Sequence, residues 1–499
     1  MSLKYITTRE GSQVIDSSKA ILNGLGDDGG LYLPTEIPEV SLADISDLVD
    51  ASYQDKAKFV LKKFLNDFTD EEIDYCVSNA YNSNTFTDAN ITPLHVLNHK
   101  SAVLELYHGP TSAFKDVALQ ILPYLLTTSA KKNNDNRTYV ILVATSGDTG
   151  KAALEGFKDV PDTKIMVFYP NDGVSLVQKL QMITQLGENV KVVAVDGNFD
   201  DTQTGVKKLF GDLDLISDLE TKNHTFSSAN SINWGRLVPQ IVYYFASYCD
   251  LVKAGKITLG DRINFTVPTG NFGNILAGYY AKRMGLPVNR LICAANANDV
   301  LKDFINTGVY NRQRHFYKTV SPSMDILISS NLERLLFILS GGDKELISSL
   351  MSSLKSTGKY RVSDELLAKV QSVFSANSAD DLDTIETIKR VFIDFDYLID
   401  THTAVAYKVY EKYLESTGDN SFNVIVSTAS PYKFSGAVAE AIIDNYSDFS
   451  ELDLLEEIHR VSGVHIPKGL YRLEKRTVRF DESITKDNME RSLRDYLNL

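Results

Sequence analysis

From about residue 100 the chain alternates short apolar runs with stretches of helical periodicity, and few folds accept that pattern. Tyr139-Val140-Ile141-Leu142-Val143-Ala144 reads as a buried strand. Lys164–Tyr169, Val190–Val195, Ile263–Val267, Leu291–Ala295 and, much later, Val424-Ile425-Val426 read the same way. Val103-Leu104-Glu105-Leu106-Tyr107 alternates and predicts another strand. Strands that alternate with helices pair in parallel, with helices on both faces of the sheet. In such sheets ligands bind beyond the carboxyl ends of the strands. Function is therefore to be sought in the residues that follow each strand.

The flanks differ. Residues 1–95 read as a helical, partly acidic unit, with helices over Asp55–Phe68 and Asp70–Ala80. Gly24, Gly26, Gly29 and Gly30 run into Leu31-Tyr32-Leu33-Pro34, a packed turn and not a nucleotide loop. His95 and His99 have the i, i+4 spacing that holds a metal on a helix, but no third ligand is evident and no metal is expected. Between about 300 and 400 the stripes Leu332, Leu335, Leu336, Leu339 and Leu346, Ile347, Leu350, Met351, Leu354 mark a helical insertion. A charged C-terminal extension, 446–499, ends in a helix over Asp487–Leu497.

A chain of 499 residues holds two or three packed units. A formal charge of −14 argues against a nucleic-acid partner. No apolar run is long enough to span a bilayer, so no membrane is expected. Met1–Tyr5 lacks a signal-peptide core, and Glu10 and Asp16 are out of keeping with a transit peptide, which predicts a cytoplasmic protein. Cys76, Cys249 and Cys293 lie far apart and read as reduced thiols.

Four loops carry the chemistry. His108-Gly109-Pro110-Thr111-Ser112-Ala113-Phe114-Lys115-Asp116 leaves a strand and opens a helical pattern that runs to Leu126. Lys115 falls in the first helical turn, an unfavourable place for a cation. Its head either escapes to water or is kept as a neutral, reactive amine. Thr145-Ser146-Gly147-Asp148-Thr149-Gly150 puts hydroxyls and free N–H groups at a helix start, a site for a carboxylate or phosphate or else a plain tight turn. Pro268-Thr269-Gly270-Asn271-Phe272-Gly273-Asn274 reads as a phosphate cradle, or else a plain tight turn. Ser427-Thr428-Ala429-Ser430-Pro431-Tyr432-Lys433-Phe434 offers a hydroxyl that either meets a ring nitrogen or caps a helix. An amine for an aldehyde, a cradle for a phosphate and a partner for a ring nitrogen together suit pyridoxal 5'-phosphate.

These four loops resemble the signature loops of threonine synthase, a fold-type II pyridoxal-phosphate enzyme. Gly29–Pro34, Ser321–Ile326, Asn331–Arg334 and Asp400–Ala404 are similar to that family too, in order along the chain. The resemblance implies an α/β fold of two open twisted sheets flanked by helices, with the N-terminal helical unit and the helical insertion. The units expected are 1–95, a larger cofactor domain over 96–143 and 226–445, a small domain over 144–225, and the extension.

Carried over residue by residue, the resemblance makes Lys115 the catalytic lysine that bonds the cofactor. It gives the cofactor phosphate to Gly270, Asn271, Phe272, Gly273 and Asn274, and the pyridine nitrogen to Thr428. Ser146, Asp148 and Thr149 would meet the substrate carboxylate, although an acid beside a carboxylate is physically odd and Asp148 can instead hydrogen-bond the region of the cofactor's phenolic oxygen or brace the loop. Ser231, Asn233 and Arg236 would meet the substrate phosphate. Ser430 stands where many relatives have histidine, and Thr401 where many have proline. The implied reaction is that of a lyase: O-phospho-L-homoserine and water give L-threonine and phosphate. The implied partner is that small molecule, and a monomer or a homodimer fits equally. A phospho-lyase releasing a 2-oxo acid shares these loops, and a non-catalytic anion-binding scaffold would keep the fold.

Overall fold

Two parallel sheets organise the chain in a computed structural model, which describes residues 3–11, 13–145, 147–171 and 174–499. The larger sheet has six strands in the order Phe374–Ser378, Val288–Ala295, Ile263–Pro268, Asn423–Ser427, Ser101–Glu105, Leu94–Val96. All its neighbours are parallel except the last pair. The second sheet has five, Ser483–Thr485, Val190–Asp196, Thr163–Pro170, Thr138–Ala144 and His224–Ser227, all parallel.

Two details of chain usage depart from the sequence boundaries. The strand Thr138–Ala144, assigned above to the larger unit, sits inside the second sheet, with Ile141 opposite Ile165. An apolar run reports burial but not which sheet buries it. The C-terminal extension also joins this sheet, through Ser483–Thr485 at its edge and a helix Met489–Leu497. Met489, Leu493 and Leu497 pack against Val140, Leu142, Met166 and Phe168.

The pattern from Lys115 to Leu126 forms two helices, Lys115–Leu119 and Leu122–Lys132. Pro123 lies in the first turn of the second, where a missing N–H costs nothing, so the chain restarts there. His95 is on the strand Leu94–Val96 and stacks on Tyr397 at 4.2 Å, and His99 lies in the bend beyond that strand, so the two do not share a helix. Among the described residues no three metal-ligating side chains gather, and no helix is long and apolar enough to cross a membrane.

The N-terminal unit contains Ser17–Asn23, Leu42–Leu48, Tyr53–Phe64 and Asp70–Ala80, and a short antiparallel pair, Tyr5–Thr7 with Tyr32–Pro34. It is welded to the body by aromatic packing. Trp234, fully buried, meets Tyr5, Phe64 and Tyr280 edge-on at 5.4–5.5 Å. Trp234 opens the helix Trp234–Lys253, buried along most of its length as its apolar composition requires. The insertion supplies Val300–Thr307, Leu332–Leu339, Lys344–Thr357, Asp364–Val373 and Asp381–Phe395, and also the edge strand Phe374–Ser378.

Candidate active site

The strands Ser101–Glu105, Asn423–Ser427 and Ile263–Pro268 are neighbours, and the loops that leave their carboxyl ends converge. After Ser101–Glu105 the loop folds back on Asp116. Its buried carboxylate accepts the Thr111 N–H at 2.8 Å and the Thr111 hydroxyl at 2.7 Å. Gly109 is required there, since a β-carbon would meet the Asp116 side chain, with Oδ2 at 2.6 Å. Ala113 pairs with Ala429 in an antiparallel bridge; Phe114 N–H donates to Thr428 O at 2.8 Å and Ser430 N–H to Ser112 O at 3.0 Å. The lysine loop and the Thr428 loop are thus zipped together. The Thr428 hydroxyl has no hydrogen-bond partner among the described residues, and Thr428 is buried.

Lys115 is the first residue of Lys115–Leu119, and its side chain is 12% exposed. The head does not escape to water. Burial pushes the amine below the ordinary lysine range, Asp148 opposes that, and the charges of Arg236 and Lys433 add to it. Lys115 Nζ is 3.8 Å from Asp148 Oδ2.

Asp148 opens the helix Asp148–Phe157 and is committed elsewhere. Lys433 Nζ lies 2.9 Å from its Oδ1, Gln178 Nε2 donates to the same oxygen at 3.1 Å, and the Ser323 hydroxyl donates to Oδ2 at 3.2 Å. Burial raises its pKa, but Lys433 and Lys115 outweigh burial and hold it well below the usual carboxylate range. So placed, Asp148 braces the site. The backbone N–H groups of Asp148 and Thr149 have no acceptor among the described residues, and Thr149 is half-buried. Ser146 lies outside the described residues.

The glycine loop after Ile263–Pro268 leads into Gly273–Met284. No backbone N–H from Gly270 to Ile275 donates to an acceptor among the described residues. Phe272 is held at φ +63°, a left-handed conformation costly for a side-chain-bearing residue, and packs on Phe374 at 5.6 Å. Asn274 Oδ1 accepts the hydroxyls of Tyr243 at 2.7 Å and Tyr244 at 2.8 Å, while its buried Nδ2 is unpartnered. Asn271 is exposed, but its carbonyl accepts Asn331 Nδ2 at 3.0 Å.

In the third expected group, Ser231 is half-buried and its hydroxyl donates to Asn230 Oδ1 at 3.2 Å. The Asn233 amide is spent on the fold. Its oxygen caps Trp234–Lys253 by accepting the Gly235 N–H at 2.8 Å, and its nitrogen donates to Ile21 O at 3.0 Å. An asparagine at an N-cap satisfies an otherwise orphaned donor, which accounts for its place. Arg236 is buried, donates to Ala229 O at 2.8 Å and leaves Nε without a partner; burial pulls it down to about 10.

Several supports had no role in the sequence reading. Arg334, fully buried, donates to Tyr32 O at 2.9 Å, Asn331 Oδ1 at 2.6 Å and Ile232 O at 2.5 Å. It links the N-terminal unit, the loop before Arg236 and, through Asn331, the glycine loop. His402, also buried, has Nδ1 2.9 Å from Asp400 Oδ2 and accepts the Ser323 N–H on Nε2 at 3.1 Å, so Nδ1 carries the proton.

Comparison with known proteins decides the family. The family "Threonine synthase N terminus" matches residues 4–81, "Pyridoxal-phosphate dependent enzyme" matches 88–428 and "Threonine synthase, C-terminal" matches 403–487. The threonine synthase of Schizosaccharomyces pombe is 39% identical over 90% of this chain and 91% of its own. This chain belongs to the threonine synthase family. Threonine synthase-like 1 of Pongo abelii is 36% identical over 99% of this chain, which spans 68% of that protein. The crystal structure of pyridoxal-phosphate-bound threonine synthase from Brucella melitensis superposes with a TM-score of 0.89 at 38% identity, covering 100% of both chains.

As a member of the threonine synthase family, the chain is a pyridoxal-phosphate-dependent enzyme. Its residues fit the group. Among the described residues, six consecutive N–H groups and Asn274 Nδ2 are without partners, free donors of the kind a phosphate group needs. Gly270 packs closely on the neighbouring loop, since a β-carbon there would stand 3.0 Å from Ser323 O. A buried amine and an unpartnered hydroxyl lie on the joined loops beside it.

Proposed function

We propose that the chain converts O-phospho-L-homoserine and water into L-threonine and phosphate, a carbon–oxygen lyase reaction, in the cytoplasm. The observation that carries this reading is the buried Lys115 amine, lodged among a committed carboxylate and two further cations. When bound, pyridoxal phosphate supplies an electron sink for charge developing next to the amino group. Lys115 would hold the cofactor, and once the substrate amine has displaced it there, its freed Nζ would take the proton from the substrate Cα. Thr428 would meet the ring nitrogen with a hydroxyl, which does not protonate it. Gly270 to Asn274 would hold the cofactor phosphate. The free N–H groups at Asp148 and Thr149, with Ser146, receive the substrate carboxylate at a helix start. Arg236 binds the substrate phosphate before it leaves Cγ, since a desolvated guanidinium with a free Nε is suited to an oxyanion. The units 1–95, 96–143 with 226–445, 144–225 and 446–499 remain our working division, with the strand Thr138–Ala144 moved to the small unit.

The test is one tube: purified chain, pyridoxal phosphate and O-phosphohomoserine, with phosphate and threonine assayed together. Equal amounts of both are expected. Phosphate with a 2-oxo acid would replace this reading with a phospho-lyase, and neither product would end it.

A further inference from the structure

Two lysines with little solvent exposure share one carboxylate. Asp148 Oδ1 is 2.9 Å from Lys433 Nζ, and Asp148 Oδ2 is 3.8 Å from Lys115 Nζ. The Lys433 side chain is wholly buried, and its other polar contact is Gln181 Oε1 at 2.7 Å. A buried ammonium cannot do without a carboxylate, so Lys433 claims Asp148 permanently. Lys115, beyond hydrogen-bond distance, has only the second claim. The charged groups that face Lys115 are Asp148, Lys433 and Arg236, with Asp116 from its own helix. Those that face Lys433 are Asp148, Lys115, Asp116 and Lys151, itself paired with Glu155 at 2.6 Å. A cation beside a lysine whose natural counter-ion is already taken favours the free amine, the form that attacks an aldehyde and accepts protons.

We propose that Lys433 is a positioning residue for Lys115: it occupies the Asp148 carboxylate and so keeps the neighbouring amine available. This rests on the reading that Lys115 carries the cofactor. A merely structural lysine would be replaceable without changing how Lys115 titrates.

The experiment strips cofactor from the full chain, adds pyridoxal phosphate at a series of pH values, and follows the rate at which the visible absorption band grows. K433M removes the cation and frees Asp148 for Lys115, and both changes favour protonated Lys115. The midpoint of the pH–rate curve is expected to rise by about one unit, with coupling at neutral pH about tenfold slower. K433R keeps the charge and should keep the wild-type midpoint. An unchanged midpoint in K433M, or an equal shift in K433R, would overturn the proposal. Should K433M not fold, D148N carries the test with the opposite sign, and a midpoint that fails to fall overturns it. A wild-type chain that forms no band overturns the Lys115 reading and this proposal with it.

Discussion

A β-carbon on Gly156 would overlap the carbonyl oxygen of Leu119 and stand 2.9 Å from its carbonyl carbon. Gly156 lies in Asp148–Phe157 and Leu119 ends Lys115–Leu119, so the missing side chain lets these two helices touch. The helices in contact are the two whose first residues are Asp148 and Lys115. Gly156→Ala therefore meets backbone, which cannot rotate away. It is expected to destabilise the fold by about 1–3 kcal/mol, the range for overpacking. It is also expected to lower turnover more than it raises KM, because the clash displaces the two helices that carry Asp148 and Lys115. Urea unfolding and steady-state kinetics on the same preparation check both.

Lys115→Ala tests the central residue. Removing a buried, partly uncompensated amine relieves a desolvation cost, so the chain should fold at least as well as wild type. It should lose the visible band of the bound cofactor and nearly all turnover. Normal turnover would remove Lys115 from its assigned role.

How much of this could be read from the sequence depends on the kind of contact. The strands after residue 100 and the loops at their carboxyl ends were legible, because burial leaves a mark at each position. Lys115 at a helix start was legible for the same local reason. What escaped are pairings across the chain. Lys433 stood in a quoted motif, but nothing local ties it to Asp148, and nothing in Asn331–Arg334 announces Tyr32 or Ile232 as acceptors. The i, i+4 spacing of His95 and His99 could not by itself show that His95 lies on a strand and not on a helix. The capping role of Asn233 was not legible because a capping asparagine and a ligand-binding one look alike until the helix start is seen.

Arg334→Lys separates charge from shape. The guanidinium reaches three acceptors on three segments, Tyr32, Asn331 and Ile232. A lysine keeps the charge but cannot span diverging acceptors. Each carbonyl left unpaired costs about 1–3 kcal/mol before relaxation. Because Asn331 also holds the Asn271 carbonyl, cofactor affinity is expected to fall about tenfold or more, which retention through gel filtration and fluorescence titration would measure.

Asp116 makes stability depend on pH. Burial pushes its carboxyl up to about 7, against the lowering by the two Thr111 hydrogen bonds and the Lys433 charge. The unfolded value is about 3.9. Between those values the folded state binds the extra proton, so stability falls as pH rises from about 4 to about 7 and the penalty is complete above that. Below about 4 the group is protonated in both states and contributes no slope. Asp116→Asn stays neutral and keeps an oxygen for Thr111, so it should lose less stability than wild type between pH 5 and pH 8. Equal slopes in denaturant unfolding of the cofactor-free chains would remove Asp116 as the cause.

The last prediction concerns an amide that two tyrosines hold in one orientation. Tyr243 and Tyr244 both donate to Asn274 Oδ1, at 2.7 Å and 2.8 Å, which fixes which end is oxygen and leaves Nδ2 free. Tyr244 donates to the Asn274 carbonyl as well, at 3.0 Å. If Nδ2 serves the cofactor phosphate, either tyrosine alone suffices to prevent a flip, since one hydroxyl still demands an acceptor. Tyr243→Phe and Tyr244→Phe are then each expected to weaken cofactor binding by no more than about threefold, the cost of a shared hydrogen bond. The double substitution frees the amide to turn its oxygen toward the phosphate, and its loss should exceed the product of the single losses. A double-mutant cycle on cofactor affinity reads that excess directly, as contacting residues are expected to couple. Strict additivity would mean that Asn274 is held by the backbone of its helix and that the tyrosines merely fill space.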